Sequence, residues 1–240
     1  MGSPFFRFKQ FTVWHDRCAM KVGTDGVLLG AWCPLPACHS ASSPCRILDI
    51  GTGSGLIALM LAQRLNNSEI DAIDIDQSAV EQAPYNFAQS PFATCLTPPH
   101  TTLQHWEAQP YDLIVSNPPY FQASLKNPNA QRATARHTAT LSYSELIAHA
   151  ARLLKNTGTL ALVLPIEAKE EIVTLASTHH LYPTHITHVH SKPGKPAKRL
   201  LIAFTPIANT PSPTTITFYI ESEDQPRSEE YQRLTKDFYL

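Results

Sequence analysis

No stretch of this chain approaches the roughly 18 consecutive apolar residues that a membrane-spanning helix needs, so no spanning segment is expected. The opening MGSPFFRFKQF also lacks the long apolar core of a secretory signal, and a cytoplasmic location is the expectation. An excess of charge of one sign is missing too: 19 Lys and Arg stand against 20 Asp and Glu. Net charge therefore gives no sign of a nucleic-acid binder, and any cationic surface must be local. The five cysteines (Cys18, Cys33, Cys38, Cys45 and Cys95) are odd in number and form no CxxC pair. That pattern points to a reducing compartment rather than a disulfide framework. Cys33, Cys38, His39 and Cys45 lie close in sequence, but their spacing fits no common zinc pattern, and no metal is expected. There is no internal repeat.

What is present is a chain of 240 residues, 43% hydrophobic, enough for one α/β domain with a sizeable core. RILDI, EIDAIDID, YDLIVSN and TLALVLP read as buried strands. SGLIALMLAQRL, QSAVEQAPYNFAQ, SYSELIAHAARLL and EAKEEIVTLASTHH read as helices. Pro84 inside the second of these predicts a kink or break. Ser142 marks the start of the third, and Gly158 a stop just beyond its end. SPFATCLTPPHTTLQHW carries one weak strand. ITHVH, RLLIAFTP and TTITFYI are late strands, and SEEYQRLTKDFYL a last helix. Strands alternating with helices predict a parallel sheet covered on both faces, with ligands beyond the carboxyl ends of the strands.

The chemistry-bearing residues fall at such ends. The first strand leads into DIGTGSG, with Asp49, Gly51, Gly53 and Gly55. Glycines let a backbone turn sharply and approach a ligand, and the helix that follows offers unpaired N–H groups. No Gly-Lys-Ser/Thr follows, so the loop is not a Walker A phosphate cradle; Leu56 stands where GxGxxG needs its third glycine. Asp74, at the tip of the second strand, is placed to accept from two ribose hydroxyls. YDLIV runs into SNPPYF, which leaves an amide, two prolines and an aromatic ring at a strand tip. Two clusters of base without acid follow: Lys126, Arg132 and Arg136 after SNPPYF, then Lys192, Lys195, Lys198 and Arg199 late in the chain. Both suit phosphate contact.

DxGxGxG with an acidic second strand resembles the S-adenosylmethionine site of class I methyltransferases, and NPPY resembles their amino-group methylation motif. FKQFTVWHDRCAMKVGTDGVLLGAW, QRATARHT and EEYQRLTKDFYL extend the likeness over nearly the whole chain. Together they resemble the bacterial tRNA (adenine-N6)-methyltransferases that modify the adenine beside the anticodon of a valine tRNA. The resemblance implies a Rossmann-like, doubly wound, mostly parallel seven-stranded sheet with an antiparallel edge strand. It implies a single domain over residues 1–240, with residues 1–40 as an extension over the cofactor site. It further implies S-adenosylmethionine as cofactor and tRNA as partner, and a monomer or weak homodimer is expected.

An exocyclic amine is a weak nucleophile because its lone pair is delocalised into the ring. Asn117 and the carbonyl of Pro118 can accept its N–H groups, Pro119 fixes the backbone, and Tyr120 offers a stacking face. These four are the catalytic candidates. Phe121, Lys126, Arg132, Arg136, Lys195, Lys198 and Arg199 are the substrate-binding candidates. Lys21, Thr24 and Asp25 are implied at the methionine end of the cofactor. Asp49, Gly51, Gly53, Gly55, Asp74, Ile75 and Asn117 complete its expected contacts. The family's acid after the third strand is replaced here by Thr102. Three other readings stay open: methylation of a release-factor glutamine amide, methylation of a ribosomal RNA guanine amine, and an RNA-binding relative without turnover.

Overall fold

The computed structural model describes residues 3–18, 20–36, 43–97, 101–119, 141–208 and 211–240. A short hairpin, β1 (Phe5–Arg7) and β2 (Thr12–Trp14), precedes helix α1 (Thr24–Trp32). Then come β3 (Cys45–Ile50), α2 (Leu56–Arg64), β4 (Ser68–Ile73), α3 (Gln77–Ala88) and the two-residue β5 (Leu96–Thr97). The chain continues through β6 (Tyr111–Ser116), α4 (Tyr143–Leu153), β7 (Leu154–Pro165) and α5 (Lys169–Thr178). It ends with β8 (Tyr182–His190), β9 (Ala197–Thr205), β10 (Thr214–Tyr219) and α6 (Glu229–Thr235).

One sheet has the order β10-β8-β9-β7-β6-β3-β4-β5. All its pairings are parallel except those of β9, which runs antiparallel to β7 and β8. The expected doubly wound α/β class is therefore present, with its antiparallel pairing toward one side. Among the described residues this sheet has eight strands rather than seven. β10 lies alongside β8 and outside the antiparallel β9, so the antiparallel pairing stands in that edge region of the sheet.

Alternation along the strands builds two cores, because successive side chains point to opposite faces. Ile47, Leu113, Val115, Ala161, Val163 and Leu201 face one side, where α1, α2, α3 and α6 pack. Leu48, Ile114, Leu160, Leu162, Leu200 and Ile202 face the other, against α4 and α5. Both faces are covered, which is why the central strands read as continuous apolar runs. No described helix is long and apolar enough to cross a membrane.

Three local expectations need correction. Helix α3 runs through Pro84 without a break. The cost of the missing backbone bond is offset by burial of Ala79, Ala83 and Phe87 on the sheet-facing side. Gly158 does not stop α4; β7 begins at Leu154 and passes through it. The register between β6 and β7 slips there, from Tyr111↔Leu154 to Leu113↔Thr159, and Gly158 sits in the irregularity. A Cβ on it would lie 2.8 Å from Leu154 Cδ1 and 2.9 Å from the Tyr111 carbonyl oxygen. Lastly, Cys45 is disulfide-bonded, although no CxxC pair exists, while Cys18, Cys33 and Cys95 are free. Bridging depends on Cα separation in the fold and not on sequence spacing.

The order of the sheet fixes where a ligand goes. From β3 the chain winds outward to β4 and β5, then returns to place β6 on the other side of β3. The carboxyl ends of β3 and β6 flank this topological switch point. Ser116 Oγ donates to the Ile50 carbonyl at 2.8 Å and locks the two tips together.

Candidate active site

The loop after β3 turns on glycines in the left-handed region: Gly51 at φ 72° and Gly53 at φ 57°. L residues rarely adopt such angles. Gly51 and Thr52 donate their N–H groups to the Ile73 carbonyl at 2.9 and 3.1 Å, which hooks the loop onto β4. Gly53 N–H donates to Asp74 Oδ2 at 2.8 Å, and Asp76 N–H to Oδ1 at 2.9 Å. Asp74 is thus held by two backbone donors, with a second lone pair on each oxygen still available. A Cβ built on Gly51 or Gly53 would meet nothing within 4 Å, so the backbone faces open space.

Two adjoining cavities occupy that space, of about 390 and 360 Å³. They share Met20, Gly51, Gly53, Asn117, Pro118 and Pro119. The first is charged: Lys21, Thr24, Asp25, Ser54 and Arg199 line it. Arg199 Nε lies 2.8 Å from Asp25 Oδ2, an ion pair between β9 and α1. The second is mainly apolar, with Ile73, Ile75, Leu103 and Leu141, and carries Asp74 on its wall with Thr101 and Gln104. A charged end joined to a mainly apolar end fits an amphiphile with a zwitterionic amino-acid tail and a nucleoside head. S-adenosylmethionine has that shape, and the open glycine backbone is a cradle that any Cβ would fill.

Of the residues expected from sequence, Lys21, Thr24, Asp25, Gly51, Gly53, Asp74, Ile75, Asn117, Pro118 and Pro119 line these cavities. Asp49 and Gly55 do not. Asp49 is fully buried beneath the loop and accepts from Thr52 Oγ1 at 2.7 Å, while its Oδ1 has no partner. Burial pushes its carboxyl up to about 7. Gly55, at φ 82°, packs on the Phe87 ring. Both brace the loop from behind.

Thr102 also faces elsewhere. Its Oγ1 lies 3.0 Å from His105 Nδ1, and the neighbours Thr101 and Gln104 reach the cavity instead. Arg199, grouped by sequence with the late basic cluster, stands in the charged cavity wall, whereas Lys195 and Lys198 are exposed on the β8–β9 turn and its edge. Tyr120, Phe121, Lys126, Arg132 and Arg136 lie outside the described residues. His15 is a structural residue: its Nδ1 accepts from Val22 N–H at 3.4 Å, so Nε2 carries the proton donated to the Ser3 carbonyl at 3.0 Å. Among the described residues no cluster of three potential metal ligands occurs.

Sequence reasoning missed Met20, Cys18, Thr101 and Gln104. None carries a motif; Cys18 and Met20 meet the site because the chain before α1 folds over it, and Thr101 and Gln104 because the segment after β5 passes its apolar end. Burial, with Asp74, Asp76 and Asp16 nearby, pushes the Cys18 thiol up to about 11, so it sits in the wall as an unreactive neutral group.

Comparison with known proteins agrees with this geometry. Residues 38–179 match the family model for the methyltransferase small domain. A tRNA1(Val) (adenine(37)-N6)-methyltransferase of Parabacteroides distasonis is 50% identical over 245 residues, covering 100% of this chain and 99% of that protein. One from Bacteroides thetaiotaomicron is 47% identical over 242 residues, with the same coverage. The crystal structure of a predicted O-methyltransferase from Agrobacterium tumefaciens superposes with a TM-score of 0.65 at 19% identity, covering 89% of this chain and 96% of that one. At that identity the likeness speaks for the fold alone. With near-complete coverage at about half identity, the chain belongs to the tRNA1(Val) (adenine(37)-N6)-methyltransferase family, within the methyltransferase small domain group.

Proposed function

We propose that this protein methylates the exocyclic N6 amine of an adenine in tRNA, the adenine beside the anticodon of a valine tRNA, with S-adenosylmethionine as donor. The observation that carries this reading is the position of Asn117-Pro118-Pro119. The triplet forms part of the wall shared by a charged and an apolar cavity at the switch point of the sheet. The family relatives supply the substrate class.

When bound, S-adenosylmethionine supplies a methyl group on a positively charged sulfur; the amine's new N–C bond forms as the S–C bond breaks, and its proton leaves to water. Asn117 follows directly on β6, whose tip is tied to β3 through Ser116. Its carboxamide oxygen accepts one N–H of the amine, and the Pro118 carbonyl accepts the other. Pinning both hydrogens directs the lone pair out of the base plane. Alignment then supplies much of the acceleration, and no strong base is needed. Tyr120 and Phe121, next in sequence, offer faces on which a base turned out of its loop can stack.

Asp74 and Ile75 hold the nucleoside end of the donor, and Lys21, Thr24, Asp25 and Arg199 its amino-acid end. Lys126, Arg132, Arg136, Lys195 and Lys198 contact RNA phosphates. The chain acts as one catalytic domain in the cytoplasm, with residues 1–40 extending over the cofactor. Incubating the protein with labelled donor and equal amounts of unmodified tRNA, ribosomal RNA and release factor tests the substrate. Label confined to tRNA supports the proposal; label confined to either rival overturns it.

A further inference from the structure

Helix α3 buries two amides one turn apart, Gln82 at 3% exposure and Asn86 at 0%. They sit among Ala79, Ala83 and Phe87, on a face otherwise built of apolar side chains. Buried amides on such a face must find partners, and the partners here are all backbone. Asn86 Oδ1 accepts from Trp14 N–H at 2.9 Å. Its Nδ2 donates to the Trp14 carbonyl and to the Ser54 carbonyl, each at 2.8 Å. Toward Trp14 the carboxamide thus acts as one residue of an adjoining strand would, accepting from the N–H and donating to the C=O of the same residue. Gln82 Oε1 accepts from Arg17 N–H at 3.2 Å.

The two ends of this set lead to opposite walls of the cofactor site. Ser54 belongs to the glycine loop and lines the charged cavity. From Trp14 and Arg17 the chain runs through Cys18, Met20 and Lys21, which line one cavity or both. The far foot of that stretch is tied by the Val22 N–H bond to His15. Met20, 54% exposed, is its most open apolar side chain. We propose that Asn86, seconded by Gln82, is a positioning residue: it clasps the Trp14–Lys21 strap to the glycine loop and thereby sets cofactor affinity. Asn86 touches neither cavity, so it acts through the backbone it holds. The proposal rests on the cofactor reading above, and its test is made by binding and proteolysis, without tRNA.

The experiment compares the full chain with Asn86→Ala, Gln82→Ala and a stability control, Ile172→Ala, in the core on the opposite face of the sheet. S-adenosylhomocysteine binding is measured by calorimetry, and tryptic cleavage after Arg17 and Lys21 is followed with and without that ligand. The expected result for Asn86→Ala is a dissociation constant raised about tenfold and faster cleavage at both bonds, because two walls lose their common anchor. Gln82→Ala, which frees only Arg17 N–H, gives a smaller rise in the same direction. Ile172→Ala lowers the melting temperature and leaves the affinity unchanged. Wild-type affinity in both amide variants would overturn the clasp, as would an equal loss of affinity in Ile172→Ala. If Asn86→Ala does not fold, Gln82→Ala decides the matter alone. Failure of the wild type to bind S-adenosylhomocysteine would instead sink the cofactor reading itself.

Discussion

Two glycines two residues apart, Gly53 and Gly55, provide a sharp separation of stability from binding. Both have positive φ, 57° and 82°. Alanine at either position therefore carries a left-handed strain of about 1–2 kcal/mol. At Gly53 the added Cβ meets nothing within 4 Å, so that strain is the whole cost to the fold. At Gly55 the Cβ would fall on the Phe87 ring, 2.9 Å from Cζ and nearer still to Cε1. Phe87 is itself 3% exposed in the core and has little room to yield. Overpacking of this kind adds about 1–3 kcal/mol, giving about 2–5 kcal/mol in total. Urea denaturation should therefore show Gly55→Ala as clearly the less stable variant. Calorimetry with S-adenosylhomocysteine should show the opposite ranking, with Gly53→Ala losing more affinity because its methyl enters the space common to both cavities. Equal destabilisation by the two variants, or wild-type affinity in Gly53→Ala, would refute the assignment of one glycine to the ligand and the other to packing.

Asn117→Ala should lose essentially all turnover and still bind S-adenosylhomocysteine nearly as wild type; near wild-type turnover in a single-turnover assay would remove the role given to that amide. Burial raises the Asp49 carboxyl from 3.8 to about 7, so the folded state holds a proton that the unfolded chain has released. Its contribution is fully present below about pH 4 and is lost as pH rises to about 7, by an amount on the order of 4 kcal/mol at the upper limit. Asp49→Asn should flatten the denaturation free energy across that window, and an unchanged pH slope would contradict the assignment. Gly158→Ala should cost about 1–3 kcal/mol by crowding Leu154 and the Tyr111 carbonyl, although the residue lies far along the sheet from the glycine loop; a neutral effect on urea denaturation would show that β7 relaxes there.

The parts of this structure legible in the sequence are those whose causes are local. β3, β4, β6 and β7 announce themselves as apolar runs, and DIGTGSG and NPPY fall at their tips because strand ends are where a parallel sheet exposes backbone. What stayed hidden depends on residues distant in sequence. The β1–β2 hairpin has three-residue strands with no periodicity to detect. It is held by Phe8 stacking on Tyr239 at 5.9 Å and by Lys9 N–H bonding the Phe238 carbonyl at 2.8 Å, contacts that span the whole chain. Arg199 reads as one more base in a cationic run until β9 is threaded between β7 and β8, which delivers it to Asp25. Pro84 suggested a broken helix because propensity is local, and the burial that overrides it is not. The Gln82–Asn86 pair did leave a trace, two amides at helical spacing on an apolar face. Their backbone partners could not be named without the fold.

The central claim is the transfer of a methyl group to an adenine amine in tRNA. The most direct measurement incubates the wild-type protein and Asn117→Ala with radiolabelled S-adenosylmethionine and unmodified total tRNA, then digests the tRNA to nucleosides. The account predicts label in N6-methyladenosine with the wild type and none with the variant. Label in another nucleoside, or no label in tRNA from a wild-type protein that binds S-adenosylhomocysteine, would contradict it.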